Sequence, residues 1–266
     1  MVGAPFVHYS LAVDWLWVIG VTGLLYGIGL RRARRRGTPH APAQVLAFYA
    51  GLATMTVAYL TPIDALDNLS FVDHVAQHLL FVFVAAPLLA VGAPIGLAAK
   101  ALPRAARERV LQPMLDNRVV AFLSHPVPAG VLFFSILAGV QIGPLFNDSL
   151  NSGWPHLLQH QVLLVGAFVF WRALAGVEAP RWDVDRNTRV GLSVMLAVVV
   201  GVLGFAFLTA KVPLYTHYAT LPAPWGRGEA LESQRQAGWL LLVVGTVLAL
   251  AMARLVEHAR RSALAS

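Results

Sequence analysis

No cysteine occurs among the 266 residues. Disulfides are therefore excluded, and so are thiolate metal sites. Any metal must be held by imidazole, thioether, carboxylate or backbone oxygen. Charge is scarce as well: charged residues make up 12% of the chain, against about 25% in a typical soluble domain. That deficit, beside 58% hydrophobic residues, requires a solvent that does not demand a charged surface, and lipid is that solvent. A net charge of +7 would ordinarily suggest nucleic acid. The basic residues fall in alternate loops between apolar runs, however, which is a topology signal and not a nucleic-acid footprint. Catalytic signatures are missing too. There is no HExxH, no GxSxG and no P-loop, and Gly226-Arg227-Gly228 is too short to cradle a phosphate. Nothing in the chain points to bond-making chemistry, so it is not read as an enzyme.

What is present is a series of long apolar runs. A membrane span needs about 20 largely apolar residues. Seven stretches qualify, roughly Leu11–Leu30, Gln44–Tyr59, His74–Gly92, Val119–Ile142, His156–Leu174, Val190–Ala210 and Ala237–Val256. Residues 1–10 hold no Lys or Arg, so the first run is expected to be a retained helix and not a cleaved signal peptide. The expected fold is all-α: one transmembrane helical domain over residues 1–266, a bundle of about seven spans.

Seventeen of the twenty basic residues lie after the first, third, fifth and seventh runs; only Lys211, Arg227 and Arg235 lie elsewhere. By the positive-inside rule this places the N-terminus outside and the C-terminus in the cytoplasm, an arrangement that requires an odd number of spans. Arginine outnumbers lysine 18 to 2, a bias of GC-rich bacterial genomes, and the expected location is a bacterial cytoplasmic membrane. Residues 95–112 mix apolar and basic side chains and read either as an interfacial amphipathic helix or as a solvated loop.

The nine histidines are unevenly placed. The third run opens His74-Val75-Ala76-Gln77-His78 and the fifth opens His156-Leu157-Leu158-Gln159-His160. HxxQH thus occurs twice at the same topological position, as an internal duplication would leave it. Residues i and i+4 share one helix face. At ~1.5 Å rise per residue, His78 and His160 lie about 6 Å deeper than His74 and His156. Neutral imidazole is the commonest metal ligand, and ionisable groups inside spans are rare and usually functional. Any one of the four, taken singly, reads as an interfacial polar residue or an interhelical hydrogen bond. The matched pairs together read as a four-histidine metal site, provided the two helices are neighbours.

Other candidates are weaker. Met55, one turn before Tyr59, offers a thioether suited to Cu(I), although methionine in a span is more often packing. Gln77 and Gln159 are placed to orient imidazoles. Asp14, Asp64, Asp67 and Asp73 read as solvated residues at the outer ends of spans. His217, in the outer loop after the sixth run, is within conceivable reach of the site; His8, His40, His125 and His258 are peripheral.

Three blocks give the chain a familiar look. In the first, Gln77-His78-Leu79-Leu80 leads to Ala86-Pro87-Leu88-Leu89 and Gly92-Ala93-Pro94. The second runs from His156 to Phe170-Trp171. The third is Ser233-Gln234-Arg235-Gln236-Ala237-Gly238, with Pro213-Leu214-Tyr215 before it. Over roughly residues 40–256 the sequence resembles the seven-helix CtaG family of bacterial cytochrome c oxidase assembly proteins. It departs from the family pattern at Ser233, where an acidic residue is common, and at Gln159, where Glu often stands. The resemblance implies help in maturing a haem–copper oxidase, with copper as the metal, oxidase subunits and membrane lipid as partners, and the CuA centre as a recipient. On that reading His74, His78, His156, His160 and Met55 are the metal-site residues. Two other readings remain: a haem-binding redox protein, and a metal-free scaffold or copper transporter.

Overall fold

A computed structural model describes residues 4–141, 143–150, 153–178, 182, 184–221 and 227–264. Ile142, Arg181 and Gly226 lie outside the described residues, as do the side chains of His8 and Asp14. Every regular element among the described residues is helical. This is the expected outcome for a chain whose backbone polar groups must be satisfied within each segment in lipid.

The main helices are α1 (Ala4–Arg35), α2 (Pro42–Leu60) and α3, built of three contiguous segments, Phe71–Leu80, Phe81–Ala85 and Ala86–Val91. There follow α4 (Pro94–Ala101), α5 (Pro126–Gly139), α6 (Gly143–Leu150), α7 (Gly153–Ala175) and α8 (Arg186–Thr209). The last, α9, joins Arg227–Trp239, Leu240–Gly245 and Thr246–Leu264. Five stretches are long and apolar enough to cross a membrane: Pro42–Leu60, Phe71–Ala101, Trp154–Ala175, Arg186–Thr209 and Glu229–Ala263. α5 is apolar but shorter, at 14 residues.

The run expected over Val119–Ile142 is divided. Arg118–Leu123 is one helix and α5 another. Pro126 opens α5, and its missing N–H and fixed φ suit the first turn of a helix but not the interior of one. His125 caps the new start, its Nδ1 accepting from the Val127 amide at 3.2 Å. Residues 95–112, left between helix and loop by the sequence, are largely helical.

α3 and α7 form the middle of the bundle. The apolar window of Phe71–Ala101 is 61% buried and that of Trp154–Ala175 50%, against 22–33% for the other three. α2, α7 and α9 all pack on α3. A local irregularity fixes the α3–α7 pairing. Residues Phe81–Ala85 take the wider π turn, in which the Ala86 amide bonds five residues back to the Phe81 carbonyl. In that register the Val82 carbonyl would receive the amide of Pro87, which has none. Trp171 of α7, fully buried, donates its indole N–H to that carbonyl at 3.0 Å. Pro87 and Trp171, from two separate sequence blocks, are thus two halves of one contact.

The third block works the same way. Ser233 of α9 accepts from the Val72 amide at 3.0 Å and so caps the N-terminus of α3 from another helix. Gln234, 2% exposed, accepts from the Leu214 amide at 2.8 Å and donates to the Phe207 carbonyl at 3.3 Å. It thereby ties Pro213-Leu214-Tyr215 to the bundle. Gly238 lets α8 and α9 touch backbone to backbone. A Cβ there would lie 2.8 Å from both the Gly204 oxygen and the Leu208 nitrogen. Gly238→Ala gains roughly 1 kcal/mol of helix propensity, but neither backbone atom can swing aside. Overpacking of this kind costs ~1–3 kcal/mol and more where the obstacle is rigid. The expected result is a net fall in the thermal midpoint of detergent-purified protein; an unchanged or raised midpoint would show that the crossing is looser than this.

Candidate metal centre

The two HxxQH copies meet. His74 and His78 on α3 face His156 and His160 on α7, and all four are buried. Ring centroids are 4.2 Å apart for His74–His78 and 4.4 Å for His156–His160. Across the helices they are 5.2 Å for His74–His156, 5.7 Å for His74–His160 and 5.0 Å for His78–His160. His156 Nε2 and His160 Nε2 are 2.9 Å apart. The adjacency that the four-histidine reading requires is therefore present.

The sequence did not single out the fifth member. One donor atom each from Asp67, His74, His156 and His160 lies within 4.8 Å of the others. Asp67 is 2% exposed, and its Oδ2 lies 3.6 Å from His156 Nε2. Asp64, read with it as a solvated loop residue, is instead drawn inward. Gln77 donates to its Oδ1 at 2.8 Å and to the Ala58 carbonyl at 3.0 Å. The cause is a roof of loop side chains. Tyr218 donates its hydroxyl to the Asp67 carbonyl at 2.7 Å, Asn68 donates to Asp67 Oδ1 at 2.8 Å, and His217 bonds the Asn68 carbonyl at 2.9 Å. His217 thus braces the residue beside Asp67 and is not among the four clustered donors.

Burial acts on both carboxyls of the roof. Burial pushes the Asp64 carboxyl up to about 6, against the opposing hydrogen bond from Gln77. Burial, and secondarily the neighbouring Asp64, push Asp67 well above the ordinary carboxylate range, with Asn68 acting the other way. A carboxylate removed from water is costly as an anion unless a cation or several donors offset the loss. The imidazoles present the complementary signal. Both ring nitrogens of His74 and Nε2 of His78 are buried with no hydrogen-bond partner among the described residues. Buried polar atoms are normally satisfied, and exceptions often mark a missing ligand or water.

Met55 is buried in α2, one turn before Tyr59. It is Tyr59 whose ring comes within 5.9 Å of His160, stacked on its other side at 3.9 Å by Trp15 of α1. The clustered donors are three imidazoles and one carboxylate. Gln159, the counterpart of Gln77, accepts from the Ser149 hydroxyl at 2.6 Å and, among the described residues, bonds no carboxylate. His40 and His125 lie elsewhere, His40 bonding the Gly92 carbonyl at 3.0 Å.

Comparison with known proteins gives the family. Residues 24–261 match the family model of the cytochrome c oxidase caa3 assembly factor (Caa3_CtaG). Uncharacterized proteins of Mycobacterium bovis and Mycobacterium tuberculosis are each 28% identical over 220 residues, covering 78% of this chain and 33% of theirs. An uncharacterized protein of Mycobacterium leprae is 26% identical over the same length. The chain therefore spans about one third of the length of these curated relatives. No solved structure matches. From the family match over nearly its whole length, the chain belongs to the cytochrome c oxidase caa3 assembly factor (Caa3_CtaG) family.

Proposed function

We propose that this assembly factor binds copper as cargo at the Asp67/His74/His156/His160 cluster and passes it to a haem–copper oxidase subunit during maturation. The observation that carries the proposal is the convergence of both HxxQH copies and a buried carboxylate on one point. Imidazole with carboxylate and no thiolate is a borderline donor set that suits copper held reversibly. Its low charge and partly unsatisfied nitrogens favour a site that fills and empties over a closed structural one. His78 and Met55 belong to this reading as inner and accessory positions.

The remaining topology is read with it. α1 and the divided helix of residues 118–139 join the five apolar stretches to give seven crossings of a bacterial cytoplasmic membrane. The basic loops then lie in the cytoplasm and the cluster faces the outer side. The tight packing of the four rings argues against haem, since axial ligands must leave a macrocycle between them.

The test is anaerobic Cu(I) loading of the detergent-purified full chain, followed by desalting and elemental analysis. Wild type should retain copper, and a variant with His74, His78, His156 and His160 all changed to Ala should lose it. A wild-type protein that retains none would overturn the copper reading and favour a metal-free scaffold.

A further inference from the structure

We infer that each HxxQH copy chelates its own copper ion, so that the site holds two. This rests on the copper reading above and extends it. A single ion at the cluster engages one nitrogen from each of His74, His156 and His160, together with Asp67. It leaves Nε2 of His78 and the second nitrogen of His74 unmatched, and both are buried. His78 packs against Phe81 at 5.0 Å, and His74 against Phe146 at 5.0 Å and Phe71 at 6.4 Å.

The four rings divide more naturally by copy. Histidines at i and i+4 are a proven two-point chelate for one ion, and within each copy the rings are closest, at 4.2 and 4.4 Å. Asp67 belongs to the second copy, through its 3.6 Å approach to His156. Asp64 is tied to the first, through its 2.8 Å bond from Gln77, the fourth residue of that copy's motif. The two carboxylates would balance the charge of two monovalent ions. Cu(I), which accepts few ligands and takes imidazole readily, fits a pair of histidines. The cross-copy spacings of 5.2 and 5.0 Å set the two positions side by side, with a short path between them.

The experiment is an anaerobic titration of the full chain with Cu(I) against a chromophoric competitor, with copper and protein both quantified. Wild type should bind two ions per chain and His78→Ala one. Size-exclusion behaviour and helical circular dichroism establish that the variant is folded, and His78→Gln serves in its place should alanine misfold. One ion in wild type overturns the inference, whether or not His78→Ala retains it, and leaves the copper-carrier reading standing. Two ions in both proteins overturn the assignment to His78. No copper in wild type overturns the carrier reading itself.

Discussion

On the proposed copper-carrier reading, Asp67→Asn should weaken divalent metal binding by at least ~100-fold, because loss of an outer partner of a ligand already costs 10–100-fold and Asp67 stands among the clustered donors themselves. The substitution keeps the shape of the side chain. It also keeps the Asp67 backbone carbonyl that accepts the Tyr218 hydroxyl, so the roof should remain closed. What it removes is the only negative charge within the clustered donors. Zn(II) or Cu(II) depends on that charge, since a doubly charged ion among neutral imidazoles in a dry site needs an anionic group among its own donors. Cu(I), with one charge and a preference for imidazole, should lose less than about 10-fold. Parallel competition titrations with Zn(II) and Cu(I) measure both numbers. Equal losses for the two ions would show that Asp67 acts on the fold of the roof and not as a donor. No loss of Zn(II) would remove it from the site.

That Asp67 had to be found in the structure is instructive. The helical runs and the paired histidines are legible because each depends on a local period: length and hydropathy for the spans, four-residue spacing for the imidazoles. Burial of a loop carboxylate has no local signature. Asp67 is covered by Tyr218 and His217, about 150 residues away in sequence, and nothing in Asp64-Ala65-Leu66-Asp67 announces them. One signal was available. In a chain with only 13 acidic residues, three of them, Asp64, Asp67 and Asp73, stand just ahead of a histidine motif, and burying idle charge at such a position is expensive. The break in the fourth run was likewise present in the sequence, in His125-Pro126, since a proline within an apolar helix ends it at the preceding residue or kinks it. Met55 and Tyr59 are both buried in α2, and the Tyr59 ring lies 5.9 Å from His160; which of a helix's residues face a neighbour depends on rotation about its axis, which neighbouring helices set and its own sequence does not.

Glu178→Ala should cause a large loss of stability with no change in the metal site. Its carboxylate is 6% exposed and performs three tasks at the end of the bundle away from the histidines. It accepts from the Ile95 amide at 2.8 Å and the Gly96 amide at 3.0 Å, capping α4, whose own cap position is Ala93 at φ 51°, with no side-chain acceptor. It also pairs with Arg172 of α7 at 2.7 Å, where Arg172 is 20% exposed. Alanine would leave a largely buried guanidinium without its partner, a change that costs about 3–5 kcal/mol in well-buried pairs. Partial exposure of Arg172 places the expectation at the lower end, near 3 kcal/mol. At 2–4 °C per kcal/mol for chains of this size, the thermal midpoint should fall by about 10 °C. Glu178→Gln separates the two roles: its amide oxygen still accepts from both backbone amides, so only the charge pairing is lost and the fall should be roughly half. His74, in the first turn of α3, and Gly92, just past its last residue, are 18 residues apart. At 1.5 Å per residue that is ~27 Å, too far for Glu178 to touch the cluster. Copper bound per folded chain should therefore be unchanged in both variants. Equal midpoints for Ala and Gln would mean that the cap contributes nothing and Arg172 carries the whole effect. A midpoint unmoved by alanine would mean that the α4 turn is held by Tyr26 and His40, which both reach the Gly92 carbonyl, and not by Glu178.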